Sequence, residues 1–208
     1  MGANEDAAHS GVEQVGFEFA KGARAIGRRR LKPGIVAILE DNETRRGAIR
    51  ELYEYALRGA GRGAGGFGIV YRVVDENEAN GIRQRLYDLM GPRRFNSMIG
   101  QFQLRGYWHV LREDYIRHAH NRHGDDYRER LHGQEGLKVE DFVRIPEITA
   151  PRHIVDAGTN ANGRPYFRYE KSFDSSTIVF QELREAEDLL LFQTMRKEKV
   201  TGGIRGSE

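Results

Sequence analysis

The sequence contains no cysteine and no long hydrophobic run. The absence of thiols excludes disulfides, cysteine nucleophiles and cysteine-based zinc sites. No segment approaches the roughly 20 apolar residues that cross a bilayer as a helix, so we expect no membrane partner. The first residues, MGANEDAAHSGVEQ, lack a basic start followed by an apolar stretch, and we do not expect a secretory signal there. With 38% hydrophobic and 31% charged residues, the chain is predicted to be soluble.

Several catalytic motifs are also absent. The segment GRGAGGFG (61–68) lacks the Lys-Ser/Thr pair of a phosphate-binding P-loop, and it precedes a strand pattern instead of following one. The sequence has no Gly-x-Ser-x-Gly nucleophile motif and no His-Glu-x-x-His zinc motif. P-loop nucleotide hydrolysis, serine-hydrolase chemistry of that type and zinc-protease chemistry are therefore excluded.

Residues 1–66 differ from the rest of the chain because they are rich in Gly, Lys and Arg, and we interpret them as a basic Gly-rich arm or linker with short elements. GIVAIL (34–39) predicts a short strand, RRGAIRELYEYALR (45–58) a helix, and RGAGRGAGG (58–66) a flexible linker. The arm is either a solvated basic segment or one that follows phosphates. Its short elements pack onto a partner or onto the following domain.

Residues 67–200 predict an α+β domain, and residues 201–208 a tail. The domain begins with a strand, FGIVYRVVD (67–75). The fold class that we predict is α+β, with helices packed on one face of a four-stranded antiparallel sheet and a Gly/Arg-rich N-terminal extension. Helices are predicted over 76–91, 113–124 and 138–148, and the four strands of an antiparallel meander over 153–159, 165–173, 176–185 and 188–198.

The stretch IRHAHNRHGDD (116–126) concentrates three histidines in one predicted helix. His118 and His123 lie about 140° apart around a helix, so one face cannot present all three rings to one ion. We therefore predict no metal site, although His120 and His123 with Asp125 or Asp126 is the set that a metal would use. Two readings stay open for the histidines. They transfer protons, with His118 near Arg122 or His123 near Asp125, or they pack and cap, as we expect for His109, His120 and His132.

The last strands offer polar side chains that can contact a phosphate. Alternation predicts Leu190, Phe192, Thr194 and Arg196 on one side of the final strand. A hydroxyl beside a guanidinium can hold a phosphate. Lys171 and Glu182 occupy comparable positions in the two preceding strands. The alternative for each is an ordinary polar residue at a strand end.

A series of segments resembles a known family. The series consists of GYWHVL, IRHAHNRHGD, GQEGLKVEDFVRIPEI, PRHIVDAG, RYEKS, IVFQEL and LLLFQTMRKEK, in that order over roughly residues 67–200. It is similar to the phage-associated nuclease-like domains grouped with barnase, EndoU, colicin tRNases and RelE. Such domains are found at the C-termini of phage head-morphogenesis proteins of the Mu F type and in polymorphic toxins. His120 and the arm 1–66 depart from the family pattern.

The resemblance implies RNA cleavage without a metal or other cofactor, in which the ribose 2′-OH attacks the adjacent phosphate to leave a 2′,3′-cyclic phosphate. Such chemistry needs an acid, a base and donors to the non-bridging oxygens. On the family pattern we expect His118 as general base or acid, His123 as a second catalytic or structural histidine, Lys171 and Thr194 on the phosphate, and Arg196 as charge stabiliser. The substrate-binding residues expected beside them are Arg122, Lys197 and Glu182, the last also a reserve base.

Three functions therefore compete. The first is a metal-independent endoribonuclease of a toxin or phage effector, with RNA as partner, tRNA included. The second is a catalytically inactive virion protein, either a minor head or an injected protein, with a nuclease-like fold. The third is a metal-dependent nuclease. We expect synthesis in the bacterial cytoplasm, followed by packaging in a virion or delivery into a target cell. We also expect a protein partner. It is either a cognate immunity or inhibitor protein, or a phage head or secretion partner that binds through residues 1–66.

Overall fold

The computed structural model describes residues 34–39, 41–58, 67–185 and 188–200. The predictions made for the start of the arm, for the Gly-rich linker and for the tail lie outside the described residues. In chain order the elements are β1 (Ile35–Ala37), α1 (Asn42–Leu57), β2 (Gly68–Val73), α2 (Glu76–Met98), a 3-10 helix (Ile99–Phe102), β3 (Trp108–Arg112), α3 (Glu113–His123), α4 (Asp126–Arg130), β4 (Gln134–Glu135), α5 (Val139–Val143), α6 (Ile145–Ile148), a second 3-10 helix (Pro151–His153), β5 (Ile154–Thr159), β6 (Pro165–Phe173), β7 (Ser176–Glu185) and β8 (Leu189–Lys199).

One mixed sheet organises the described chain. Its strand order is β1-β2-β3-β8-β7-β6-β5, and β4 pairs with β8 outside this path. The meander β5 to β8 is antiparallel throughout, as its short turns predict. The predicted number of four strands is wrong, because the sheet has eight. The extension arises where β3 pairs in parallel with β8, a long-range contact that no turn in the sequence specifies.

The strand and helix predicted within residues 34–58 belong to the same structure as the later residues. β1 pairs in parallel with β2, with Val36 opposite Ile69. On α1, Ile49 and Leu52 are fully buried in the main core. Of the two outcomes expected for these elements, packing onto the following domain is the one observed. The division at residue 66 remains a prediction, and the described part of the arm shares one sheet with residues 67–200.

The buried helix residues all lie on one side of the sheet, in the larger of two hydrophobic clusters. Phe142 of α5 contacts Phe192 of β8, with ring centroids 6.3 Å apart, and Phe192 stacks on Phe180 of β7 at 5.0 Å. We call this side the helix face. The buried members of the smaller cluster come only from strands, on the opposite face: Ile35, Ala37, Val70, Trp108, Val110, Leu189 and Leu191. Within the described part of the chain, no helix is long and apolar enough to cross a membrane.

A bulge in β8 changes which residues share a face. Gln181 pairs with Thr194 and Glu182 with Phe192, so β8 carries one extra residue at this point. Beyond the bulge Met195 returns to the helix-face core, and Thr194 therefore points to the opposite face. The predicted alignment of Leu190 and Phe192 with Thr194 and Arg196 is wrong for this reason, since a bulge reverses the alternation.

The ends of two helices follow local glycine geometry. Gly91 has a φ of +73° inside α2 and produces the break predicted there, after which Pro92 starts a further helical stretch up to Met98. α3 ends before Gly124 as predicted, but Gly124 has a φ of −91° and is not left-handed. A glycine is required at position 124 because the His120 carbonyl oxygen lies close to its Cα. A Cβ there would be 2.6 Å from that oxygen.

Candidate active site

The residues predicted for the site lie in five separate places. None of these places unites a predicted histidine with Lys171 and Thr194 in one groove. Two places are on α3: its outer surface carries His118 and Arg122, and its end carries His123. The third is the helix face of the sheet, with Lys197 near the end of β8 and Lys171 near the end of β6. The fourth is the opposite sheet face, with Thr194 and Arg196, and the fifth is the core, with Glu182.

His118 and Arg122 are exposed. The buried residues of α3 include Ile116 and Ala119, and the remaining face, which carries both predicted residues, is turned to solvent. Between these two side chains no hydrogen bond forms. Their catalytic assignment stays a prediction, and the fold surrounds them with no further predicted site residue.

Thr194 and Arg196 lie on the sheet face opposite the helices. Thr194 is half-buried and is the partner of Gln181 in β7. Arg196 donates from Nε to Glu198 Oε1 at 2.8 Å, and this exposed ion pair neutralises its charge. The charged side chains of the meander on this face include Arg168 and Arg196 together with Glu170, Glu198 and Asp156. In this set three carboxylates offset two guanidinium groups, so it gives Thr194 no surplus of positive charge.

Glu182 is completely buried at the centre of a polar cluster. Its two oxygens lie 3.0 and 3.1 Å from His109 Nδ1, and they accept hydrogen bonds from the hydroxyls of Tyr71 (2.9 Å) and Tyr169 (3.1 Å). Burial raises the pKa of both tyrosines well above its ordinary value, and the charge of Glu182 adds to the effect. Both tyrosine hydroxyls therefore stay protonated and donate to the carboxylate of Glu182. Glu182 is closed to substrate and holds β7, β3, β2 and β6 together.

His109 connects the buried Glu182 to the partly exposed side chains of Glu78 and Arg72. His109 Nε2 lies 3.1 Å from Glu78 Oε1, and Arg72 bonds the same carboxylate at 2.8 Å. Arg72 also donates to the carbonyls of Pro146 (2.9 Å) and Thr149 (2.6 Å), so it ties α6 to the sheet. Burial lowers the pKa of His109, but the charge of Glu182 and the hydrogen bonds to both glutamates outweigh it and raise the pKa. We expected His109 to pack in the core. It is buried as expected, but it also forms ion pairs with Glu182 and Glu78.

His123 at the end of α3 forms a pair with a buried carboxylate. Its Nδ1 lies 3.1 Å from Oε2 of Glu129 on α4, and the side chains of the two residues are 15% and 6% exposed. Asp125, the partner expected from the sequence, instead caps α4 by accepting the N–H groups of Tyr127 and Arg128. Within the described residues His123 Nε2 has no hydrogen-bond partner. A histidine oriented by a carboxylate through one nitrogen, with the other free, is suited to proton transfer.

A cleft of about 260 Å³ lies near the end of α3, and we call it the basic cleft; neither His123 nor Glu129 is among its lining residues. His123 O accepts the N–H of Leu137 at 2.7 Å, and the neighbours of Leu137 in the chain line the cleft. Four cations and two carboxylates line the space, so its lining carries a surplus of positive charge. The lining residues are Asp126, Arg130, Glu135, Gly136, Lys138, Lys197 and Lys199.

Lys197 is the one predicted site residue that lines the basic cleft. Its Nζ lies 3.3 Å from Asp141 Oδ1 and 3.5 Å from Glu135 Oε2, and its side chain is 17% exposed. Asp141 is almost fully buried and also accepts the N–H of Lys138 at 2.9 Å. These contacts fix the ammonium at the wall of the cleft.

Lys171 lies two strands away on the same face. Its ammonium is bonded to Glu147 Oε1 and stands 5.0 Å from the centre of the Phe173 ring. The hydrogen bond from Lys171 lowers the pKa of Glu147, and the charges of Arg46 and Arg144 add to this effect. In the described residues no group of three or more His, Asp or Glu side chains is arranged to hold a metal ion.

Residues 95–202 match the family model described as phage-Barnase-EndoU-ColicinE5/D-RelE like nuclease3. The match spans more than half of the chain, and the protein belongs to this family of nuclease-like domains. The resemblance stated from the sequence is thereby confirmed. No curated protein and no solved structure matches the chain.

The residues that pair with His123 and His109 were not identified from the sequence. Glu129 escaped notice because it lies six residues after His123, across a helix boundary. The Asp125 cap was readable, since Asp-Asp before a helical run is an N-cap signal, and it would have removed Asp125 as the partner of His123. The ties from Arg72 and Glu78 to His109 depend on the β2–β3 pairing and carry no local signal.

Proposed function

We propose that the protein is a metal-independent endoribonuclease that cleaves RNA, tRNA among its substrates, by attack of the 2′-OH on the adjacent phosphate. Membership of a nuclease-like family supports cleavage of nucleic acid. The observation that carries the choice of site is the His123–Glu129 pair at the end of α3, where the chain continues into the lining of the basic cleft at Asp126. The pair supplies a base and the cleft supplies cations, which are the groups that this reaction needs.

The reaction balances with His123 as the proton carrier. Glu129 accepts a hydrogen bond from Nδ1–H of His123, so the neutral ring keeps Nε2 free to take the proton of the 2′-OH. The 2′ oxygen bonds to phosphorus while the bond to the 5′ oxygen breaks, and Nε2 then gives its proton to that leaving oxygen. The products are a 2′,3′-cyclic phosphate and a 5′-hydroxyl. Lys197 faces the non-bridging oxygens, where negative charge develops.

Incubation of the purified protein with total RNA in EDTA tests this function. We expect fragments from the unaltered protein and a rate at least about a hundredfold lower for His123→Ala, because general acid–base catalysis contributes about 10² to 10⁴. His118→Ala is the matched control on the same helix and is expected to cleave normally. Cleavage lost in His118→Ala and kept in His123→Ala would move the active site to the outer surface of α3. Cleavage only with added metal would refute the proposed chemistry.

The inactive virion protein is the second candidate, favoured by the separation of the predicted residues into five places. Intact RNA under all conditions, with the fold confirmed by circular dichroism, would support it. On either function the proposed setting is bacterial, with synthesis in the cytoplasm and then packaging in a virion or delivery into a target cell. An immunity protein or a phage head or secretion partner bound through residues 1–66 belongs to the same proposal.

A further inference from the structure

Arg144 lies in the segment GQEGLKVEDFVRIPEI, but the proposed chemistry gives it no role. It lies between α5 and α6, with its guanidinium carbon 4.5 Å from the centre of the Phe173 ring. Such a cation–π contact fixes the plane of a guanidinium and lowers the entropy lost when it binds a ligand. Arg144 is therefore held in one orientation at the surface.

The guanidinium donors of Arg144 have no protein partner in the part of the chain that the structure describes. Among the described residues they make no hydrogen bond and no ion pair, and none of them is a buried unpaired atom. A planar guanidinium with free donors fits the oxygens of a phosphate through two parallel bonds. By contrast Lys171 on the same ring is already bonded to Glu147. Arg144 is the cation of this pair that remains available to a ligand.

The local charge balance also favours an anion. Arg46, Arg144 and Lys171 all act on the single carboxylate of Glu147 and stabilise its charged form. Three cations, set against the carboxylates of Glu147 and of Asp174 beside Phe173, leave a surplus of one positive charge near the Phe173 ring. Arg46 is exposed on α1, so the surplus faces solvent.

The strand register connects this position to the basic cleft. Phe173 pairs with Ser176, and Ser176 pairs with Lys199, which lines the cleft. In the next row Lys171 and Lys197 flank Ile178 in the same way. Each pair of cross-strand neighbours is about 4.8 Å apart, so the two positions are separated by about 10 Å on one face of the sheet.

We propose that Arg144, supported by Phe173, binds a backbone phosphate of single-stranded RNA that continues from the basic cleft across the end of the sheet. The inference rests on the proposed ribonuclease function and adds a substrate class and a direction to it. An extended strand reaches both positions and can lay a base on the guanidinium plane. A single strand bends more easily than a stiff duplex, so it can pass from the basic cleft to the surface near Phe173.

Binding of a fluorescent 12-nucleotide single-stranded RNA to the full chain carrying His123→Ala tests the proposal without cleavage. Adding Arg144→Ala should weaken binding about tenfold and reduce the slope of log K against log salt by about 0.7, the contribution of one phosphate contact to a single strand. Arg144→Lys should recover part of the affinity, since it keeps charge without the planar fork. The control is Arg105→Ala, an exposed arginine paired with Glu76 near the opposite end of β8.

The two proposals fail in different ways. RNA cleavage by the unaltered protein, with equal affinity and equal salt slope for Arg144→Ala and Arg105→Ala, would overturn the role of Arg144 and leave the ribonuclease intact. Binding that depends on Arg144 without cleavage by the unaltered protein would overturn the ribonuclease and keep the RNA surface. Equal or tighter binding of a DNA duplex would refute the single-stranded RNA path.

Discussion

His109 forms ion pairs with two glutamates inside the described core. It is completely buried and lies between Glu182 and Glu78, with Arg72 beside it. From the sequence His109 was expected to pack and Glu182 to meet substrate. The chemistry of each residue type was readable, whereas the pairing was not, because β3 and β7 are joined through β8 and are distant in sequence.

Replacing His109 tests the ionic cluster. Breaking one side of a buried ion pair costs about 3–5 kcal/mol, so His109→Gln should lower the free energy of unfolding by about that amount at pH 6. The pKa of His109 is raised in the folded state from its ordinary value of 6.5. Its contribution is therefore fully present below about pH 6.5 and is lost as the pH rises through the higher folded value.

Urea unfolding of both proteins from pH 5.5 to pH 9 measures this dependence. The difference in unfolding free energy between the unaltered protein and His109→Gln should narrow as the pH rises. A difference that stays constant or widens would contradict a charged His109. Asn160, whose side chain caps its own turn at the surface, offers a control in Asn160→Ser with no such pH dependence.

At the scale of elements, the sequence predicted the meander well and the remaining sheet poorly. The strands over 165–173 and 176–185 have the predicted bounds, because alternation and a two-residue turn determine them together. β3 was not predicted as a strand, since WHVLR passes directly into α3 without a turn. The β8 bulge had no sequence signal, and it moved Thr194 and Arg196 away from the predicted face.

The end of α3 determines where His123 and the basic cleft lie, and Gly124 controls that end. Gly124→Ala should lower the free energy of unfolding by about 1–3 kcal/mol, because the new Cβ would meet the His120 carbonyl. Gly47→Ala in α1 is the matched control. It has no atom within 4 Å of the new Cβ and should stabilise the protein by about 0.5–1 kcal/mol. Thermal unfolding of both variants checks the opposite signs, and equal effects would refute the steric account.

For the whole molecule, parallel pairings join parts that the sequence had separated. Within the described sheet the parallel pairings are β1 with β2 and β3 with β8, and no local turn determines either of them. As a result the arm was predicted as a separate segment, although α1 and β1 complete the core of the described structure. The family resemblance identified the class of protein correctly, but a family pattern alone does not position side chains.

A fragment that begins at Phe67 tests the contribution of the arm. Ile49, Leu52 and Ala56 of α1 are fully buried. Removing α1 therefore exposes the core residues that these three side chains cover. Each large aliphatic side chain lost from a core costs about 2–5 kcal/mol, and the sum is comparable to the stability of an entire domain. We expect residues 67–208 to show no cooperative thermal unfolding by circular dichroism. A transition as high as that of the full chain would show that the arm is dispensable.

The central claim is cleavage of RNA through its own 2′-OH, and one substrate pair tests it most directly. The pair is a short single-stranded RNA and the same RNA with one 2′-deoxy nucleotide at a cleaved position, both incubated with the protein in EDTA. We predict cleavage of the RNA to a 2′,3′-cyclic phosphate and none at the deoxy position. Equal cleavage of both substrates at that position would contradict the account, because the attacking oxygen would then not come from the ribose.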